Sequence, residues 1–355
     1  MVGLSDPLKI KFINRKLKRK DMTKRLILIP IIYAISMLQI AFAQDVFQLT
    51  NAGFEEWENG STSKPVAWNT YETVQCSGLF CTAKNSDQCK RSTDVRTGAS
   101  GKYSVVAIAK KVFGIPANGI ITTGVINAGA TSATDPKNHN ESNIDDPSKC
   151  MIFTGRPDSV VAWIKAKPKK TNQLGRFYVM IHDNNYIQDP GTDWSKVIAI
   201  AGVNPPASDN WVRYSCPFFY EGQKHNIQNQ DGERTPKRKL ADGERPSYVL
   251  VTFSTNYLAG EGTEGDEMYG DDIEMIYNSQ LTSVAIDGTN VEGFSKDVYA
   301  YNVAGKYTKG AVTYKSNGRY ATIEESYNET NKTLTLTVKG DNYSADNTNK
   351  HVYTF

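Results

Sequence analysis

The chain has 355 residues, 22% of them charged, with a formal net charge of +3. Nine Lys/Arg but only two Asp/Glu fall in residues 1–43, so the remaining chain carries 32 basic against 36 acidic residues, a net of −4. A mildly acidic body with 19 Tyr and five Trp in the full chain gives no electrostatic basis for binding a polyanion, and nucleic acid is excluded as the expected partner.

Leu26–Ala43 is an apolar run preceded by the short basic segment Met22–Arg25 and closed by Ala41-Phe42-Ala43. That order is the one a secretory signal peptide needs, and cleavage before Gln44 is expected. Residues Met1–Asp21 read as an upstream extension, with Met22 as the expected start. The competing reading is an uncleaved membrane anchor, since ~20 apolar residues can span a bilayer. Pro30, Gln39 and the Ala-x-Ala weigh against it, and no Cys follows the run to carry a lipid. About 310 residues then remain, enough for two domains on the usual ~150-residue scale. They are expected to be secreted, periplasmic or associated with the cell envelope, with no membrane span after cleavage.

Five cysteines stand at Cys76, Cys81, Cys89, Cys150 and Cys216. Three lie in the polar stretch Gln75–Lys90, which reads as a loop held by a local bridge. Zinc is the alternative, but no Cys-x-x-Cys pair and no neighbouring His support it.

Strands are expected almost throughout the first domain, residues 44–278. Ser159–Ala166, Gly175–His182, Trp194–Ile200, Trp211–Tyr220 and Ser247–Ser254 are rich in aromatic and β-branched residues and are separated by Pro, Gly, Asn and Asp. Ala130–Lys149 and Gly222–Pro246 read as long solvated loops, and Thr235–Lys239 as a charged hairpin tip. After Asn278 a new series begins with Leu281–Gly288, Tyr299–Val303, Ala311–Tyr314, Ala321–Ile323 and the strictly alternating Thr333–Val338. The chain ends at Tyr353–Phe355 as if in or just after a last strand. A small immunoglobulin-like sandwich over residues 279–355 fits that spacing. The expected fold class is all-β, a jelly-roll β-sandwich followed by this smaller one.

An ordered set of motifs narrows the first domain: Asn51-Ala-Gly53-Phe54-Glu55, Pro65-Val-Ala-Trp68, Ser100-Gly101-Lys102-Tyr-Ser104 and Asp271-Asp272-Ile273. The set resembles the galactose-binding-like jelly rolls of carbohydrate-binding modules. With Phe153-Thr-Gly155-Arg156-Pro157 and Trp163, it more narrowly resembles the PCMD family, a carbohydrate-metabolism domain of secreted and surface proteins in gut-type Bacteroidetes. The resemblance covers Asp45 to Tyr277. Two departures stand out: many members are lipoproteins whereas this leader ends in Ala-x-Ala, and the Cys76–Cys89 loop is an addition. The resemblance implies a fold and a glycan-related context, and it transfers no catalytic residue.

It also implies a structural Ca²⁺ shared by Glu55 and Asp272, with Lys102 as a carbonyl donor. Hard cations of this kind take six to eight oxygens, which two distant strands can supply together. The alternative is that Glu55 and Asp272 cap turns or meet Lys and Arg.

Sugar binding needs flat aromatic faces flanked by polar groups. Strand alternation places Val161, Trp163 and Lys165 on one face, and Tyr178, Met180 and His182 on another. A platform joining Trp163, Tyr178 and His182 with loop residues Asp183 and Trp194 is expected, Lys165 helping select hydroxyls. The alternative for Trp163 and Tyr178 is burial in the strand core. Hydrolysis of a glycosidic bond would need two flanking carboxyl groups. Asp183, Asp189, Asp193, Glu261, Glu264, Asp266 and Glu267 are candidates, and no spacing singles out a pair. No Gly-x-Ser-x-Gly elbow or P-loop lysine motif is present. The expected function is non-catalytic recognition of a polysaccharide or glycoconjugate. The alternatives are a carbohydrate-active enzyme and a structural or adhesive envelope protein with protein partners.

Overall fold

The computed structural model describes residues 44–225, 227, 232, 234–304, 307–344 and 346–355. The expected leader and the expected start at Met22 lie outside them. The fold is all-β, with short 3₁₀ turns as the helical elements among these residues.

Two antiparallel sheets form the main sandwich. The first runs in the order Val212–Pro217, Ser159–Lys167, Glu267–Ile276, Ser104–Ile108, Cys89–Ser92. The second runs Phe219–Tyr220, Val197–Val203, Arg176–His182, Tyr248–Ser254, Ile120–Thr122, with Met151–Ile152 also pairing to Tyr248–Ser254. Alternation decides what each face does. Val160, Ala162 and Ile164 of the first sheet meet Phe177, Val179 and Ile181 of the second in one core. Phe54 and Trp68, from the motifs nearest the start of the domain, join that core with ring centroids 4.9 Å apart.

Arg176–His182 is buried at every position. A strand that apolar on both faces needs a cover on each. The outer cover is a third sheet, in the order Gln75–Cys76, Val125–Ala128, His139–Ser142, Ile187–Asp189. Its Ile187 packs with Tyr178, Met180 and Leu250 in a separate apolar cluster.

Several elements differ from those expected. Ala130–Lys149 is no solvated loop: it holds the strand His139–Ser142, in which Asn140, Glu141 and Ser142 are buried. Glu141 and Ser142 meet polar partners, which hydrophobic periodicity does not detect. Gly222–Pro246 likewise buries His225 and the whole of Arg234. Trp194 lies on a 3₁₀ turn, Trp194–Lys196, capped by Asp193 through the Ser195 N–H, and the strand starts only at Val197. Tyr299–Val303 contributes a single bridge, Ala300 to Thr354, where a strand is expected.

Beyond residue 278 lie two three-stranded sheets, Thr289–Asn290/Leu281–Ile286/Val312–Ser316 and Thr322–Asn328/Thr333–Lys339/Lys350–Thr354. They enclose their own core, including Leu281, Leu334, Leu336, Val338 and Tyr353. Asp45–Phe355 is nevertheless one compact unit. Asp341 ties the second core to the first, receiving hydrogen bonds from Arg156 and Arg245. Asp158 accepts the backbone N–H groups of Asn278 at 2.8 Å and Arg319 at 2.7 Å.

Candidate functional site

Trp163 is half-buried on the outer face of the first sheet, with the Arg96 guanidinium 4.9 Å over its ring. Lys165, on the same face, is buried. It pairs with Asp94, and its ammonium lies 4.4 Å from the Tyr269 ring centroid and 5.2 Å from that of Trp211. Tyr178 and His182 point the opposite way, outward from the second sheet, and are buried under the third layer. Guanidiniums of Arg176 and Arg234 flank the Tyr178 ring at 4.8 and 4.7 Å. His182 hydrogen-bonds to Ser142 Oγ and to the Asp183 carbonyl, each at 2.9 Å. Burial pushes its pKa down to about 4, so the ring is neutral at ordinary pH. Asp183 pairs with Arg238 at 3.3 Å, and Trp194 is half-buried near Arg234. The structure does not bring Trp163 and Lys165 together with Tyr178, His182, Asp183 and Trp194. A full sandwich separates the two groups, and no shared concave platform exists.

Three of the sequence motifs do meet. Asn51-Ala-Gly53-Phe54-Glu55 forms a tight turn, with Asn51 and Phe54 both at positive φ and the Phe54 N–H bonded to the Asn51 carbonyl. Glu55 accepts the N–H groups of Lys102 and Tyr103, and a Cβ on Gly101 would stand 2.2 Å from Glu55 Oε1, so a larger residue there would have to displace the Glu55 carboxylate from these N–H groups. Opposite, a β-bulge across from Val161–Trp163 puts Asp272 at φ +43°. The bulge gathers Asp271 and Asp272 near Glu55. Burial, then the charges of Asp272 and Glu55, push the Asp271 carboxyl up to about 7, and its Oδ2 is buried with no protein partner. The oxygen-rich chemistry suits a hard cation, but the arrangement does not complete a cage. Asp272 is paired with Arg96 at 2.6 Å, and Lys102 offers Glu55 its N–H and not its carbonyl. Among the described residues, no group of three ligand-type side chains converges as a metal site.

A different place has the character of a ligand site. A cavity of about 160 Å³ opens between the third sheet, the hairpin Lys110–Ala117 and the 130–138 segment. Cross-strand register puts Ile126, Asn140 and Asp189 on one face of the third sheet, since Asn140 pairs with both of the others. Tyr71, Phe80 and Tyr257 supply aromatic rings to the walls, and the half-exposed Phe113 stands at the mouth. Phe80 comes from the Gly78–Ala83 turn, which a Cys76–Cys81 disulfide closes against the edge of the sheet. Cys89 is buried and free, so the local bridge joins the first two cysteines of the polar stretch.

Polar groups converge on the same cavity. Asn118, Asn127 and Asn140 all line it, and each has one buried side-chain atom without a protein partner: Oδ1, Nδ2 and Oδ1 respectively. The Asn118 orientation is set by its amide nitrogen, which donates to the carbonyls of Asn256 at 3.1 Å and Leu258 at 2.9 Å. Buried polar atoms are nearly always satisfied, so three exceptions around one cavity mark it out. A wider groove beside Trp68, Cys150 and Ile152 has no such atom among its described residues.

Asp189 is the one carboxylate among the described lining residues. It is bound by Arg176 Nη2 at 2.6 Å and Arg234 Nη2 at 2.7 Å. Burial alone would raise its pKa, and the two guanidiniums outweigh that and hold it low. At the rim, His139 Nε2 meets Glu141 Oε2 at 3.2 Å while Nδ1 meets the Pro136 carbonyl at 2.9 Å. Both contacts call for N–H donors, which describes an imidazolium; burial opposes that charge but is outweighed, and the His139 pKa is raised.

No protein-family model matches the chain, and no curated protein matches it significantly in sequence. No helix among the described residues is long and apolar enough to cross a membrane. Residue-by-residue sequence reasoning missed the cavity because its polar lining sits on short strands in what reads as loop. The one available signal was Asn138-His139-Asn140-Glu141-Ser142, a polar run without Pro or Gly in which alternate residues could serve two faces.

Proposed function

We propose that this chain is a secreted, non-catalytic carbohydrate-binding protein, resembling the PCMD family in its first domain, and that its binding site is the cavity on the third sheet. The observation that carries this reading is the set of buried, unpartnered amide atoms on Asn118, Asn127 and Asn140 around a cavity with aromatic walls. Two of those atoms are acceptors and one is a donor. A sugar hydroxyl can serve either need, and the C–H faces of a pyranose suit the rings. The volume is comparable to a cavity of roughly 150 Å³ that takes one benzene ring, which limits the enclosed part of the ligand to no more than a single sugar unit. The Cys76–Cys81 bridge agrees with an oxidising compartment.

Hydrolysis is less well supported. Two carboxyl groups must flank the scissile bond, one of them protonated. Asp189 is the single lining carboxylate among the described residues and is held ionised between two arginines. Calcium enters this reading as an ion that would displace Arg96 from Asp272 and be shared with Glu55. A melting temperature unmoved by chelation in a calcium-loaded sample removes it.

The test is affinity electrophoresis of Gln44–Phe355 against plant, mucin and microbial polysaccharides, repeated with Asn140→Ala. Retardation by a polymer is expected, and so is its loss in the variant. Removing an unpaired buried amide should leave the melting temperature unchanged or higher. Retardation that survives Asn140→Ala would move the site elsewhere. No retardation across the panel, with capture of an envelope protein in its place, would favour a structural or adhesive role.

A further inference from the structure

Phe113 is the most anomalous residue on the rim of the cavity. It occupies the first position of the two-residue turn Phe113–Gly114, which joins the paired strands Lys110–Val112 and Ile115–Ala117. Phe113 has φ +53° and Gly114 φ +78°, the two positive values of a type I′ hairpin turn. That first position favours Asn, Asp or Gly, because a Cβ crowds the backbone in the left-handed region, and a bulky aromatic residue there is a genuine outlier. Folding gains little in return, since the residue is 48% exposed and belongs to no apolar cluster. Its neighbour Ile115 is 36% exposed, and both line the cavity mouth. An exposed aromatic ring on a disfavoured backbone conformation, at the edge of a ring-sized cavity, is accounted for by a ligand and not by the fold.

We infer that Phe113 is a specificity-determining residue that stacks on the second unit of a sugar chain, while the cavity holds the terminal unit. The ligand is therefore the end of an oligosaccharide at least two rings long, bound more tightly than the free monosaccharide. This rests on the proposed glycan-binding reading. The hairpin positions the ring without help from the core, so the contact can be removed without disturbing the cavity. Phe113→Asn converts the turn to Asn-Gly, the preferred pair for this geometry, and should fold at least as well as the original.

The experiment is calorimetric titration of Gln44–Phe355, Phe113→Asn and Phe113→Tyr. The probes are the methyl monoglycosides of glucose, galactose, mannose, xylose and N-acetylglucosamine, together with their two- and three-unit oligosaccharides. For the sugar that binds, the wild type should prefer the oligosaccharide to the monoglycoside by about tenfold, the scale of one ring contact. Phe113→Asn should lose that preference while keeping monoglycoside affinity and an equal or higher melting temperature, and Phe113→Tyr should retain it. Equal oligosaccharide affinity in wild type and Phe113→Asn would overturn the role of Phe113 and leave the glycan reading standing. Absence of any carbohydrate binding by the wild type would overturn both.

Discussion

Asp341 offers the sharpest test of how the two cores are joined. Its side chain is 4% exposed, and four hydrogen bonds reach the carboxylate. Three come from Arg156, through the backbone N–H at 3.0 Å, Nε at 3.0 Å and Nη2 at 2.5 Å; the fourth comes from Arg245 Nη1 at 3.0 Å. Truncation to alanine leaves two guanidiniums facing a vacated acceptor, and breaking such a buried pair costs about 3–5 kcal/mol. Both arginine side chains are partly exposed, 18% and 28%, and Arg245 keeps Asp45 at 3.4 Å, so about 3 kcal/mol is expected. Asp341→Asn, which retains an acceptor of the same shape, should lose roughly half as much, still within the range for charged hydrogen bonds. All five tryptophans precede residue 278, so in urea unfolding their fluorescence follows the first core while far-ultraviolet circular dichroism follows both. Asp341→Ala should lower the midpoint and pull the two curves apart, the dichroism responding first. A loss under about 1 kcal/mol with coincident curves would refute the reasoning, because water would then serve these arginines as well as Asp341 does.

Two further expectations concern pH. Asp271 has its pKa raised from 3.8 to about 7, so the folded state keeps a proton that the unfolded chain releases; stability should fall as pH rises from about 4 to 7 and level off above, and Asp271→Asn should flatten that slope in a pH series of melting temperatures, identical slopes counting against it. The Glu141 carboxyl, which burial would raise, is instead brought down to about 2 by hydrogen bonds from His139, Tyr186 and Gln75. The stability His139 gains from this contact is complete below its unfolded pKa of 6.5 and is lost as pH rises through its raised folded value, so Glu141→Gln should move its NMR titration midpoint down, and an unmoved midpoint would sink the pairing.

The fold class was legible because apolar strands advertise themselves. Ser159–Lys167 and Arg176–His182 alternate or run apolar over whole strand lengths, and the expected spans agree with the observed ones within about a residue at each end. Those spans also assigned Trp163 with Lys165, and Tyr178 with His182, to common faces. Which way each face points is not a property of the strand. It depends on which sheet the strand joins and what later covers that sheet, so one pair emerged on an outer surface and the other under a third layer. Polar strands are quieter still. His139–Ser142 carries no hydrophobic period, and Asn140 matters only because Ile126 and Asp189 stand beside it.

Sequence alone therefore determined strand content, the alternating faces and the change of character near residue 278, since these follow from local side-chain chemistry and the two-residue pleat. Tertiary structure decided everything that depends on residues far apart in the chain. It gathered Glu55, Gly101 and Asp272 into one neighbourhood, and it closed a cavity from segments near residues 113, 140, 189 and 257. A binding site of this kind is a set of distances between distant positions, and only packing sets those distances.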